Sequence, residues 1–100
     1  MEAHGTGTSV GDPIEIGAIS EALAGPCRTN SPLLVGSLKA AIGHTEAASG
    51  LASVIKVAVG LERGLIAPNC DFQSPNDKLD LTGRHITVRV SGLLGCPGIY

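Results

Sequence analysis

Aromatic side chains make up only 2% of this chain, and tryptophan is absent. Almost nothing is left to stack on bases, and a net charge of −2 gives no basic footprint for a phosphate backbone, so nucleic-acid binding is excluded. Charged residues are also scarce, at 16% against 43% hydrophobic, which excludes a disordered chain and means that other structure must cover much apolar surface. Lys56, Glu62 and Arg63 interrupt the longest apolar candidate, so no membrane span is expected. The N-terminus has no signal-peptide pattern, and the expectation is a soluble, cytoplasmic protein. Cysteine is sparse too: Cys27, Cys70 and Cys96 are odd in number and widely spaced. They form neither a disulfide framework nor a C-x-x-C metal site, and they read as free thiols in loops with no metal expected.

The strongest pattern runs from Leu33 to Gly64. An apolar run, Leu33, Leu34 and Val35, gives way at Gly36 and Ser37 to a polar turn that carries Lys39 and His44. A helix is expected next, from Glu46 to Arg63, because Ser49, Ser53, Lys56, Gly60 and Arg63 recur at helical spacing as one narrow polar stripe. The remaining faces are apolar, which predicts a core helix covered on most sides. It would be about 27 Å long at about 1.5 Å per residue, and Gly64 supplies its stop. His44 would then sit just before a helix N-terminus, where unpaired amides and the helix dipole disfavour a positive imidazole. A neutral ring there suits a donor to a developing oxyanion. Glu46 acts in the opposite sense, and simple satisfaction of local backbone groups is the alternative reading of His44.

The chain opens with a glycine- and threonine-rich loop, Met1 to Gly11, that includes His4. Gly5, Gly7 and Gly11 form a loosened dinucleotide fingerprint, but the preceding strand that such a motif needs is missing. A Walker-type phosphate loop fails as well, since no Lys-Ser or Lys-Thr pair follows. Asp12, Pro13 and Glu15 predict a helix start with Asp12 as N-cap and an approximate capping box. Ile14, Ala18, Ile19, Ala22 and Leu23 are expected along one face, with Gly25 and Pro26 ending the helix. After Gly64 the proline- and asparagine-rich segment reads as extended loop, and Ile86, Val88 and Val90 alternate as a short half-buried strand.

Two motifs, EAHGTGTSVGDPIE at Glu2 to Glu15 and GSLKAAIGHTEAASG at Gly36 to Gly50, stand in order along the chain. Together they resemble the C-terminal half of the β-ketoacyl synthase domain, most closely the ketosynthase of polyketide synthases. The resemblance runs from Glu2 to about Val88. It divides the chain into a partial ketosynthase C-terminal domain at residues 1–90 and a divergent tail at 91–100.

The resemblance implies an α/β fold, the C-terminal half of a thiolase-like layered α-β-α architecture that works as a homodimer in the complete enzyme. It implies decarboxylative Claisen condensation of a cysteine-bound acyl group with a malonyl-type extender on an acyl carrier protein. His4 and His44 would be the catalytic histidines, Lys39 the lysine that orders the charged site, and Thr6 and Thr8 would touch the phosphopantetheine arm. That arm belongs to the partner carrier protein, and no cofactor of the chain's own is implied. A structural ion pair with a carboxylate such as Glu46 is the alternative reading of Lys39, and a turn role is the alternative for Thr6 and Thr8. Ala41 stands where the family usually has Asn, and the nucleophilic cysteine belongs to the missing N-terminal half. The chain also ends without the Gly-rich, Asn-Ala-His segment that closes the family's last strand region. The chain alone is therefore expected to be inactive. A noncatalytic carrier-protein or synthase interaction module is the alternative function, and a nucleotide-binding glycine loop is a third.

Overall fold

Leu33–Val35 forms strand β1 at the centre of a small parallel ribbon. The computed structural model describes residues 1–24 and 31–91, together with the backbone of Leu94–Gly95. On one side, β1 pairs in parallel with β3, the Ile86–Val88 strand, with Leu33 opposite Ile86 and Val35 opposite Val88. On the other side lies the chain start: Ala3 N donates to Gly36 O at 2.8 Å, and Gly36 N donates to Met1 O at 3.1 Å. Parallel neighbours need long crossovers, and helices occupy both of them, which makes this an α/β arrangement. A separate antiparallel pair joins β2, Leu65–Ile66, to β4, Leu94–Gly95. Both strands are too short for an alternation signal, so the expected extended loop after Gly64 begins with a strand instead.

Helix α1, Gly11–Leu23, is the first crossover, and it covers one face of the ribbon. The core joins Ala3, Ile16, Ile19, Ala24, Leu33, Val35, Leu79 and Ile86. The expected capping scheme is corrected here. The helix begins at Gly11, whose amide donates to Thr8 Oγ1 at 3.0 Å. Asp12 is not the N-cap, because its Oδ1 accepts from Gly7 N at 3.2 Å and ties down the preceding loop. The expected apolar face is corrected as well: Ile16 and Ile19 are buried, whereas Ile14 is 68% exposed and Leu23 is 49% exposed. The ribbon lies on the Ile16 side, and sequence periodicity does not contain that choice. The expected stop at Gly25 and Pro26 lies outside the described residues, as do Cys27 and Cys96.

The second crossover carries the short helix α2, Lys39–Ile42, and then a 3-10 turn, Glu46–Ala48, that leads into α3, Ser49–Arg63. Gly64 ends α3 in the left-handed region at φ 61°, as its sequence position predicts. The expected start at Glu46 is replaced by the 3-10 turn, because Glu46 has a φ of 47° and cannot begin an α-helix there. No residue of α3 is buried. Its orientation is the reverse of an ordinary amphipathic helix. Ser49, Ala52, Ser53, Lys56 and Gly60, all small or polar, are the half-buried ones, while Leu51, Val54 and Ile55 stand exposed. Gly60 permits this approach, since a Cβ there would lie 2.9 Å from the Leu65 carbonyl oxygen. Among the described residues no helix is long and apolar enough to cross a membrane.

Candidate active site

The loops after the first ribbon segment and after β1 leave the sheet side by side, and each delivers a histidine. The rings of His4 and His44 meet edge-to-face, with centroids 5.3 Å apart and planes at 87°. Both side chains are exposed, so backbone geometry rather than burial sets their positions. His44 stands between Gly43, at φ 75°, and the Glu46 turn, at φ 47°. Its Nδ1 accepts from Glu46 N at 2.9 Å. An imidazole that accepts at Nδ1 carries its proton on Nε2, so this contact leaves Nε2–H as the ring's donor. Left-handed non-glycine backbone of this kind concentrates where side chains must be aimed for function.

Four polar side chains outside the expected set hold the two loops together. Ser37 is 8% exposed; its Oγ donates to His4 O at 3.3 Å and accepts from Lys39 N at 3.3 Å, joining one motif to the other. Asn69 supports Ser37 from behind, since its Oδ1 accepts from Ser37 N at 2.8 Å and its own amide donates to Arg89 O at 2.7 Å. Glu15 accepts from His4 N at 2.6 Å and Gly5 N at 2.9 Å. Glu2 accepts from Leu38 N at 2.5 Å and pairs with Lys56 of α3, also at 2.5 Å. The only hint of these roles in the sequence is that Glu2, Glu15 and Ser37 lie within the two motifs; Asn69 lies outside both and has none.

Lys39 is half-buried at the start of α2, on the loop that carries His44. Its expected pairing with Glu46 is corrected: no Lys39–Glu46 ion pair forms, and Glu46 is engaged through its own backbone in the turn that holds His44. Thr6 is half-buried, and Thr8 is exposed while accepting from Gly11 N. That bond uses an acceptor lone pair of Thr8 and leaves its hydroxyl proton available. Cys70 is an exposed free thiol. A separate groove of about 980 Å³ opens between β1 and α3, lined by residues including Leu34, Leu38, Ile55, Lys56 and Arg89. None of His4, His44 or Lys39 lines it.

Gly5 is a sensitive point of this frame. It has a φ of 48°, and a Cβ there would lie 2.7 Å from the Cβ of Ser37. Gly5→Ala is expected to cost more than the ~1–2 kcal/mol of a left-handed L-residue, because the buried serine cannot retreat. The denaturant midpoint of a complete ketosynthase domain containing this chain measures the loss; an unchanged midpoint would contradict the close packing.

Comparison with known proteins places the chain's sequence and fold in a family. The family described as beta-ketoacyl synthase, C-terminal domain, matches residues 1–73. The chain is 56% identical over 91 residues to the highly reducing polyketide synthase azaB of Aspergillus niger, and 58% identical over 91 residues to the compactin diketide synthase mlcB of Penicillium citrinum. These alignments cover 91% of this chain but only 4% and 3% of the respective relatives, so the chain spans a small part of their length. An oxazolomycin ketosynthase domain from Streptomyces albus JA3453 superposes with a TM-score of 0.84 at 36% identity, covering 94% of this chain and 16% of that one. Ketosynthase twelve of the bacillaene polyketide synthase from Bacillus amyloliquefaciens gives 0.82 at 38% identity, covering 96% and 17%. These neighbours are ketosynthase domains of thiolase-like fold, and the α/β class expected from the sequence is the observed one. With most of its length matched and its fold shared, the chain belongs to the β-ketoacyl synthase family, as a C-terminal domain of the polyketide-synthase type.

Proposed function

We propose that the chain supplies the histidine side of a β-ketoacyl synthase active site. The extender is a malonyl-type thioester on the phosphopantetheine arm of an acyl carrier protein. Cleavage of its carboxylate bond releases carbon dioxide and leaves the electron pair as a thioester enolate. His4 and His44 donate N–H groups to the enolate oxygen as charge develops. The enolate carbon then attacks an acyl thioester on a cysteine of the N-terminal half. The cysteine thiolate departs, and the β-ketoacyl product remains on the carrier. Lys39 orders charge around the second histidine, while Thr6 and the free hydroxyl proton of Thr8 line the arm. The complete enzyme acts as a homodimer, and the chain itself binds no cofactor.

One observation carries this reading: two motifs far apart in sequence bring His4 and His44 to 5.3 Å. A lone histidine at a helix start has an ordinary structural explanation. Two whose rings meet edge-to-face, with the Nδ1 of one held by a backbone amide, are near enough to serve one shared donor site.

The chain alone is expected to form no β-ketoacyl product from an acyl thioester and malonyl carrier protein, because histidines do not hold the acyl group covalently. Cys70, exposed in a loop, has no partner base to activate it among the described residues. Joined to an N-terminal half that carries the nucleophile, the same chain should give product. A product that forms with the chain alone and survives mutation of Cys27, Cys70 and Cys96 would overturn this assignment.

A further inference from the structure

We infer that Glu15 is a positioning residue for His4, acting through the two backbone amides that its carboxylate grips; this rests on the proposed role of His4. The sequence position of Glu15 suggests a capping box, in which it would turn back to its own helix start. Its oxygens instead leave α1 and take the amides of His4 and Gly5, at 2.6 and 2.9 Å. The left-handed φ of Gly5, 48°, lets two successive amides converge on one anion, as in backbone nests. The grip has a firm base, since the adjoining Ile16 and Ile19 lie in the core at 7% and 6% exposure.

The His4 ring has no comparable anchor. It is exposed, and its described contact is the edge-to-face one with His44. Its placement therefore follows from its backbone, which is held at three points. Ala3 N bonds Gly36 O in the ribbon, His4 O accepts from Ser37 Oγ, and His4 N donates to Glu15. Of these, the Glu15 bond is the shortest and the one with a charged acceptor, the stronger class of hydrogen bond. Glu15→Gln keeps size and shape but replaces one acceptor oxygen with an NH2 group, which confronts an amide donor with another donor. The loop must then rotate, and a displacement of about 1 Å at a reacting group costs on the order of 10²-fold in rate.

The test uses a ketosynthase domain that contains this chain. Glu15→Gln should lower kcat for condensation about 10²-fold with KM for the carrier-bound extender unchanged. Glu15→Asp, which keeps both acceptor oxygens, should recover part of that loss. In a double-mutant cycle, Glu15→Gln should add nothing to His4→Ala, because both act on one ring. A general loss of stability would add to it. Crystal structures of the parent and the Glu15→Gln domain should show the His4 ring displaced from His44. If the ring stays in place, or the two substitutions multiply fully, the inference is overturned. If His4→Ala condenses as fast as the parent, the reading of the site fails, and ring displacement alone then decides whether Glu15 holds His4.

Discussion

Within a complete ketosynthase domain, His44→Ala should slow condensation by ~10²–10³, the usual cost of removing one oxyanion donor, while His85→Ala should stay near the parent rate. The three histidines make an internal comparison. His4 and His44 are exposed yet meet each other at 5.3 Å, whereas His85 is exposed at the entrance to β3. The described bonds of His85 are those of its backbone, to Thr82 O and from Leu33 N. Alanine there keeps both of these. At His44 alanine removes the ring whose Nδ1 the Glu46 amide holds, and with it the Nε2–H donor. The loss should fall on kcat rather than on KM, since the donor is needed only when the enolate forms. Steady-state kinetics on the two folded variants decide the matter; equal rates would remove His44 from the mechanism.

Much of the site was legible in the sequence because its parts are local. Gly36, Ser37, Lys39 and His44 lie within one strand-to-helix connection, and the apolar run before it and the helical period after it mark its ends. That the His4 and His44 rings touch is a tertiary fact. It follows from Met1–Ala3 lying along β1, and a three-residue segment before His4 has no periodicity that could announce it. The same limit explains Glu15 and Glu2. Each bonds amides distant along the chain, and local pattern offers only the nearer partner. Lys39 and Glu46 were near enough on the chain to suggest an ion pair, but the left-handed turn at Glu46 commits that residue to holding His44. The ion pair falls instead between Glu2 and Lys56, across the fold.

Orientation is the second kind of information that periodicity lacks. A polar stripe on a helix fixes which residues share a face; it does not say whether that face looks inward or out. For α3 the stripe looks inward. Lys56 reaches Glu2 through it, and Gly60 lets the chain return closely at Leu65. The expectation of a helix needing cover on most sides therefore holds in composition, while among the described residues nothing buries it.

From that exposure follows the second large effect. The purified chain alone should self-associate or pack loosely and bind hydrophobic dyes. Leu51 is 66% exposed, Val54 64%, Ile55 55% and Leu61 52%, all on one 15-residue helix. Full burial of one such side chain contributes about 1.5–3 kcal/mol. Four of them together approach the whole net stability of an ordinary domain, about 5–15 kcal/mol. Leaving them in water costs the fold what covering them would supply, and the inward stripe of serine, glycine and a paired lysine offers little apolar burial in return. The N-terminal remainder of a ketosynthase domain, supplied in trans, should suppress dye binding and raise Tm. Val54→Glu with Ile55→Lys should reduce self-association of the chain alone and also abolish that rescue, since a charged face cannot be covered without desolvation. Sedimentation, dye fluorescence and thermal melts read these outcomes. A chain that is monomeric, dye-silent and cooperatively melting above roughly 60 °C would instead be self-sufficient, and would favour a stand-alone interaction module over half of an enzyme.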